Sequence, residues 1–411
     1  MDCNNFYASC ERVFQPKLKH VPIVVLSNND GCIIARSEEA KLLGIPMGAP
    51  YYKYRNYLEK NNVSIFSSNY EFYGDMSERV MSSIKMMIDH SNIEVYSIDE
   101  AFIKLASNNA LEYAKKISSN IMQWTGIPTS IGISSTKTLS KIANHVAKKN
   151  LTDNVFDMRN EKIIEKVIKD LPVDNIWGIS KAWSKKLSQL NIITALELRD
   201  ADSSFIKKKL GIVLERIVLE LRGISCLNIE KSKDKKSIIS SKSFGSLITD
   251  INLIEQALSN HVARACEKLR IQNSRAKSIS IFIQTNKFRK DLPQYRASKH
   301  YVLELPSSDT GQLIKISKKL LNIIFRNNYK YNKCGVMLQD ISSKNYEQKH
   351  MFVKNNPIID NLMERVDLLN SNLGKNSVFH ASQGIKKEWK MKRRSLSPCY
   401  TTNWKTLPLV R

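Results

Sequence analysis

Apolar residues recur at Met76, Val80, Ile84 and Met87, steps of three and four that predict an amphipathic helix after the polar stretch SSNYEFYGD. Two short runs, IEVYSI and AFIKL, read as strands on either side of Asp99 and Glu100. A helix over roughly 108–124 follows, and then the apolar strand TSIGIS. With one strand at the very start, the order becomes β-α-β-β-α-β, the split βαβ pattern in which an antiparallel sheet carries helices on one face. Only the last residue or two of that first strand precede the helix that begins at FYASCE. Residues 14–68 are an insertion with an apolar run, PIVVLSN, and a stretch that reads as a polar loop, NDGCIIARSEEAKLLG. After TSIGIS, the segment SSTKTLSKIANHVAKK predicts a helix capped by Ser135 or Thr136, with basic residues in its last turn.

Around 171–231 the pattern turns to short helices, in LPVDNIWGISKAWSKKLSQLNI and LELRDADSSFIKKKLG. The charged, poorly periodic EKSKDKKS reads as a linker. Beyond it, SIISSKSF, a helix over roughly 251–271, KSISIFIQT, YVLELP, a helix over roughly 309–327 and NKCGVML repeat the β-α-β-β-α-β order. From about 343 the chain reads as loop-rich and strongly basic. The expected domains are therefore 1–170 with an insertion at 14–68, then 171–231, 232–342 and a tail over 343–411.

Charge changes this picture more than composition does. The 411 residues carry 64 Lys and Arg against 39 Asp and Glu, a formal net charge of +25. Residues 1–170 account for only +2 of it, and residues 171–411 for +23. A nearly neutral module joined to strongly basic ones suits a catalytic part attached to parts that grip a polyanion, with nucleic acid ahead of a membrane surface. An apolar fraction of 42% is enough to build several cores. Seven scattered cysteines without a C-x-x-C pair support neither a zinc site nor a disulfide framework, and read as reduced thiols of a cytoplasmic protein. The sequence reads as one without a signal peptide or a bilayer-length apolar run.

Three acids could carry chemistry. Adjacent strand residues point to opposite faces, so Asp99 and Glu100 share a site only where the backbone turns. Asp2, at the end of the neighbouring first strand, would add a third carboxylate. Such an oxygen-only set suits hard divalent ions, chiefly Mg²⁺, arranged for in-line phosphoryl displacement. An acidic turn in water is the plainer reading of Asp99-Glu100 alone. Phe6 and Tyr7 could wall the site or pack in a core. Arg36, Lys41 and Lys148 offer cationic partners for a triphosphate, although any one of them could be a surface charge. In WGISKAWSKKL, a tight Gly turn between helices could present backbone N–H groups to a phosphate, or simply pack two helices.

Taken together, DCNNFYASCE, VVLSNNDGCIIARSEEAK, FSSNYEFYGDMSERV, YSIDEAF, GISSTKTLSKIANHVAKK, LPVDNIWGIS and QGIKKEWKMKRRSLSPCYTTNW resemble the Y-family translesion DNA polymerases, in particular the UmuC type. The resemblance runs in order over nearly the whole chain. It implies an α+β, multidomain right-hand polymerase: a ferredoxin-like palm, small fingers, a helix-hairpin-helix thumb and an α/β little finger. The implied activity is error-prone, template-directed DNA synthesis past damaged bases in the SOS response, with two Mg²⁺ ions. In this family's pattern Asp2, Asp99 and Glu100 are the catalytic, metal-binding acids, and Cys3 offers its backbone carbonyl to a metal. Tyr7 falls at the steric gate against ribonucleotides. Lys41 and Lys148 fall at triphosphate contacts, with Phe6 and Arg36 the further nucleotide-binding candidates, and Gly178, Ser180 and Lys181 are expected at the DNA backbone. Implied partners are primer-template DNA, dNTPs, a UmuD-type accessory dimer, a sliding clamp docked on Gln348, Met351 and Phe352 of EQKHMF, and a recombinase filament.

Two departures from the pattern carry expectations. Ser180 stands where the thumb hairpin usually has a second glycine; if the position needs positive φ, a serine is strained and phosphate binding weakens. Relatives also have several apolar residues before the aspartate that is Asp2 here, which predicts a short first strand, fewer ladder hydrogen bonds and a frayed Asp2. A non-catalytic, clamp-tethered DNA-binding protein is the alternative this suggests. A two-metal nuclease or nucleotide cyclase fits less well with Tyr7 and the basic modules.

Overall fold

A computed structural model describes residues 1–105, 109–150, 153–230, 233–344 and 357–404. Within these, the chain divides into two compact units. The first comprises 1–27, 32–230 and 395–404, and the second 28–31, 233–344 and 357–394. Among the described residues no helix is long and apolar enough to cross a membrane.

In the first unit, strand Asp2–Cys3 pairs antiparallel with Thr129–Ile133, which pairs parallel with Val155–Asp157. The hairpin Ile93–Val95 and Ala101–Ile103 joins the other side of Asp2 through an antiparallel bridge to Glu100. The expected split βαβ order is present, extended by the strand Val155–Asp157, whose three residues are too few to show a period. Helices Tyr70–Met87 and Ala110–Thr125 cover one face. Met76, Val80 and Ile84 are buried there as their spacing requires, together with Ile117, Ile121, Ile131 and Ile133. Asn69 caps the first of these helices by accepting from Phe72 N–H.

The intervening Gly132 faces the other way, onto helix Lys137–Lys149. A Cβ there would lie 2.1 Å from Asn144 N and 2.5 Å from Ser140 O, so only glycine lets the helix backbone approach this strand. Thr136, the later of the two expected caps, accepts from Leu139 N–H.

The inserted region builds its own small sheet, Ile33–Arg36, Ile23–Leu26 and Ser64–Ser67, around Val24, Leu26, Ile33, Ile45, Leu58 and Val63. The stretch read as a polar loop therefore contains a strand, Ile33–Arg36, and a helix, Glu38–Leu42. Four residues with only Ile33 and Ala35 buried give too little alternation to be recognised without the strand they pair with. Helices Lys181–Ser188, Ala195–Asp200, Ser203–Leu210 and Ile212–Leu221 enclose a third core around Leu187, Leu198, Ile206, Leu214 and Val218.

The second unit is a four-stranded antiparallel sheet in the order Arg296–Ser307, Ser274–Thr285, Tyr331–Ser343, Ile238–Ile248. Helices Ile251–Ile271 and Thr310–Ile324 pack their apolar sides on it. The region expected to be loop-rich contains helix Pro357–Leu373. Arg270 holds it through both carboxylate oxygens of Asp367, at 2.6 and 2.8 Å, and Arg275 pairs with Asp360. Such long-range ion pairs leave no periodic trace in a sequence.

Gly132→Ala should cost several kcal/mol, because the clash is with backbone that cannot rotate away. Gly74→Ala, in helix Tyr70–Met87 with nothing within 4 Å of its Cβ position, should be neutral or gain up to about 1 kcal/mol. Thermal melting of the two variants checks both signs.

Candidate active site

Asp2 is held from both sides of its strand. It lies opposite Ser130 on one side and Glu100 on the other. Cys3 N–H donates to Asp99 O at 2.8 Å, Ala101 N–H to Met1 O at 3.1 Å, and the Met1 ammonium to Ala101 O at 3.0 Å. Asp2 is accordingly only 7% exposed. The expected fraying is overturned, because the hairpin supplies the second ladder that a longer first strand was thought to need.

Strand alternation decides where the acids point. Asp2, opposite Ser130 and Glu100, faces helix Lys137–Lys149, whereas Cys3 turns into the apolar core. Lys148 Nζ lies 2.6 Å from Asp2 Oδ1, Lys141 Nζ 2.6 Å from Glu100 Oε1, and Lys137 Nζ 2.5 Å from Glu94 Oε2. Asp99 points elsewhere: its Oδ1 accepts from Ser97 Oγ at 2.6 Å, and its charge acts on the Cys3 thiol and the Tyr7 phenol. The structure thus brings Asp2 and Glu100 together and leaves Asp99 on the Tyr7 side. Among the described residues no three His, Cys, Asp or Glu side chains converge on one metal position.

Burial, and then a hydrogen bond with the Glu100 carboxyl, raise the Asp2 pKa to about 6. Glu100 moves the other way. Burial opposes its ionisation, but the bond to Asp2 and the Lys141 ammonium outweigh it. The two carboxyls lie side by side, each paired with one ammonium group of the same helix. Their donor set is oxygen only, which fits a hard divalent ion.

Tyr7 lies in helix Phe6–Val13, half-buried. Its ring stacks on Tyr73 at 4.5 Å and 16°, and meets Tyr70 edge-on at 6.2 Å. Burial pushes its phenol up to about 12. Phe6 is 4% exposed and belongs to the apolar core, so of the two aromatics only Tyr7 can face a ligand. Arg36 donates to Ile45 O, while its Nε is buried without a partner. Lys41 has the exposed Glu38 at 2.9 Å.

In the helical hairpin Gly178 has φ 91°, but Ser180 has φ −79° and ψ 161°. Ser180 is the cap of helix Lys181–Ser188, accepting from Trp183 N–H. The feared strain at Ser180 is absent, since a helix cap favours serine in extended backbone. Trp177 reaches the acid hairpin, donating from Nε1 to Tyr96 OH at 3.1 Å. Gln348, Met351 and Phe352 lie outside the described residues.

Sequence reasoning passed over Lys137 and Lys141, although their spacing with Lys148 on a capped helix was a usable signal. It also missed two buried acids. Glu220 is fully buried and accepts from Thr138 N–H at 3.0 Å, tying the start of the lysine helix, and from Cys226 N–H at 2.7 Å. Glu11 is fully buried and accepts from Tyr73 OH at 2.6 Å. Both sit at ordinary helical positions among apolar neighbours, and only the fold reveals their partners.

The fold is the right-hand fold of solved Y-family DNA polymerases. A Y-family DNA polymerase chimera of Dbh and Dpo4 superposes with a TM-score of 0.65, at 22% identity, over 83% of this chain and 98% of that one. An insertion ternary complex of Dbh DNA polymerase gives 0.54 with the same identity and coverage. The chain belongs to the impB/mucB/samB family, whose models match residues 1–145 and, for the C-terminal domain, 235–351. Residues 360–410 match a domain of unknown function. Protein UmuC of Salmonella typhimurium is 42% identical over 100% of this chain and 99% of its own length, and Protein ImpB of that organism 39% over 100% and 98%. DNA polymerase IV of Clostridium acetobutylicum is 26% identical over 89% of this chain and 90% of its own length.

Burial raises the Glu11 carboxyl from 4.5 to about 7, against the hydrogen bonds from Tyr73 and Ser397 that favour its ionised form. The folded chain therefore keeps a proton that the unfolded chain releases near its ordinary pKa. Stability from this group is full below about 4.5, falls as pH rises toward about 7, and is constant above, a loss of a few kcal/mol in all. Urea midpoints of the wild type relative to Glu11→Gln should show that decline between pH 5 and 7; a flat difference contradicts it.

Proposed function

We propose that this chain extends a primer by template-directed nucleotidyl transfer, copying past damaged bases. The observation that carries this reading is the convergence of Asp2 and Glu100 under Lys141 and Lys148, with Tyr7 following Asp2 on the same segment. The primer 3′-hydroxyl oxygen attacks the α-phosphorus of a dNTP, its bond forms as that to the bridging oxygen breaks, and pyrophosphate leaves.

Asp2, Asp99 and Glu100, with the Cys3 carbonyl, would hold two Mg²⁺ ions. When bound, these ions neutralise triphosphate charge and favour ionisation of the attacking hydroxyl. Lys148 and Lys141 then exchange carboxylate for phosphate partners, which suits ammonium groups already delivered to the site on one helix face. Arg36, whose Nε has no partner, and Lys41 supply further donors for the phosphates. Tyr7, backed by Tyr73, meets the sugar where a ribonucleotide carries its 2′-hydroxyl. The turn at Gly178–Lys181 offers backbone N–H groups to the DNA backbone, and the +23 charge of residues 171–411 strengthens that grip. A UmuD-type dimer, a sliding clamp engaged by Gln348, Met351 and Phe352, and a recombinase filament complete the partners of this reading.

Asp99→Ala and Glu100→Ala should each lower nucleotide incorporation at least about a hundredfold, with primed-DNA affinity retained. The assay is single-nucleotide extension by the full chain with its accessory partners and Mg²⁺ on a primed abasic template. Extension unaffected by Asp99→Ala would sink the reading. Affinity for primed DNA should fall roughly 10³-fold between 50 and 200 mM salt if about six phosphates are contacted; a near-flat salt titration contradicts the basic grip.

A further inference from the structure

The segment 395–404 returns to the first unit and is built into it. Ser395 exchanges hydrogen bonds with Ser67, its O accepting from Ser67 N–H at 2.8 Å and its N–H donating to Ser67 Oγ at 3.0 Å. Asn69 Nδ2 donates to both the carbonyl and the hydroxyl of Ser397 at 3.1 Å. Tyr400 stacks on Phe14 at 4.9 Å and 4°, and accepts from Gln15 Nε2 at 2.9 Å. Ser397 and Tyr400 are 5% and 6% exposed, so this is a packed core element, not a surface tail.

Its innermost contact runs toward the nucleotide side. Ser397 Oγ donates to Glu11 Oε1 at 2.9 Å, the same oxygen that accepts from Tyr73 OH at 2.6 Å. Glu11 and Tyr73 are fully buried, and Tyr73 carries the ring on which Tyr7 stacks. A continuous line of contacts therefore joins Ser397, Glu11, Tyr73 and Tyr7.

We infer that Ser397 and Glu11 are positioning residues for sugar selection: they pin the Tyr73 hydroxyl, and the pinned ring fixes Tyr7 at the distance that rejects a ribose. This gives a role to part of the domain of unknown function at 360–410, and it rests on the reading of Tyr7 as the gate. The physical reason is that repulsion falls steeply with separation, so a wall that can yield by a few tenths of an ångström loses much of its selectivity. Tyr73 released from Glu11 keeps its ring but not its fixed tilt.

The test measures kcat and KM for a dNTP and the matching rNTP, using the full chain with its accessory partners on undamaged primed DNA. Tyr7→Ala should collapse the deoxy-over-ribo preference. Tyr73→Phe and Ser397→Ala should each lower it roughly three- to tenfold, the worth of one hydrogen bond, chiefly by lowering KM for the rNTP. Their kcat for the dNTP should stay near wild type, and Ser397→Thr, which keeps the hydroxyl, should restore the preference. The two variants cut the line at different points, so misfolding of one leaves the other to decide. Wild-type preference in Tyr73→Phe and Ser397→Ala, alongside collapse in Tyr7→Ala, overturns the inference and leaves the gate standing. Wild-type preference in Tyr7→Ala overturns the gate and the inference with it. A loss of dNTP kcat equal to the loss of preference marks a merely structural defect and also overturns it.

Discussion

The hydrogen bonds on both edges of strand Asp2–Cys3 are the constraint on which the site depends. One edge meets Thr129–Ile133 and the other the turn at Asp99–Ala101. That double pairing fixes the alternation of side chains, so Asp2 and Glu100 emerge on one face and Cys3 on the other. Hydrogen bonds on both sides tie the backbone at Asp2 into the sheet.

The charges follow from that face. An unpaired buried carboxylate costs several kcal/mol, and Asp2 and Glu100 avoid the cost in two ways. Burial, with their mutual contact, raises the Asp2 pKa, and each receives an ammonium from helix Lys137–Lys149. That helix can lie close enough only because Gly132 has no side chain. Its start is tied by Glu220, which comes from the helical region after the hairpin. Distant parts of the chain thus converge on one short helix, and through it on the acids.

The same principle governs the aromatic side. Tyr7 is only half-buried, and its orientation comes from Tyr73, which is wholly buried and anchored by Glu11. A half-buried side chain is thus oriented by buried neighbours. The C-terminal segment contributes here through Ser397 and Tyr400.

Periodicity by itself located the long elements. The helix Ile251–Ile271 and the buried positions Met76, Val80 and Ile84 could be read directly, because burial of one helix face repeats regularly along the chain. The acids Asp2, Asp99 and Glu100 were legible as residue types at strand ends. Elements of three to five residues, such as Val155–Asp157, Ile33–Arg36 and Glu38–Leu42, were not, since they are too short to carry a period. Nor were the placement of Asp99 apart from the Asp2–Glu100 pair, the unstrained Ser180, or the buried partners of Glu11 and Glu220. Those depend on which residues the folded backbone brings together across long separations, and hydrogen bonds between such residues leave no pattern in the order of the chain.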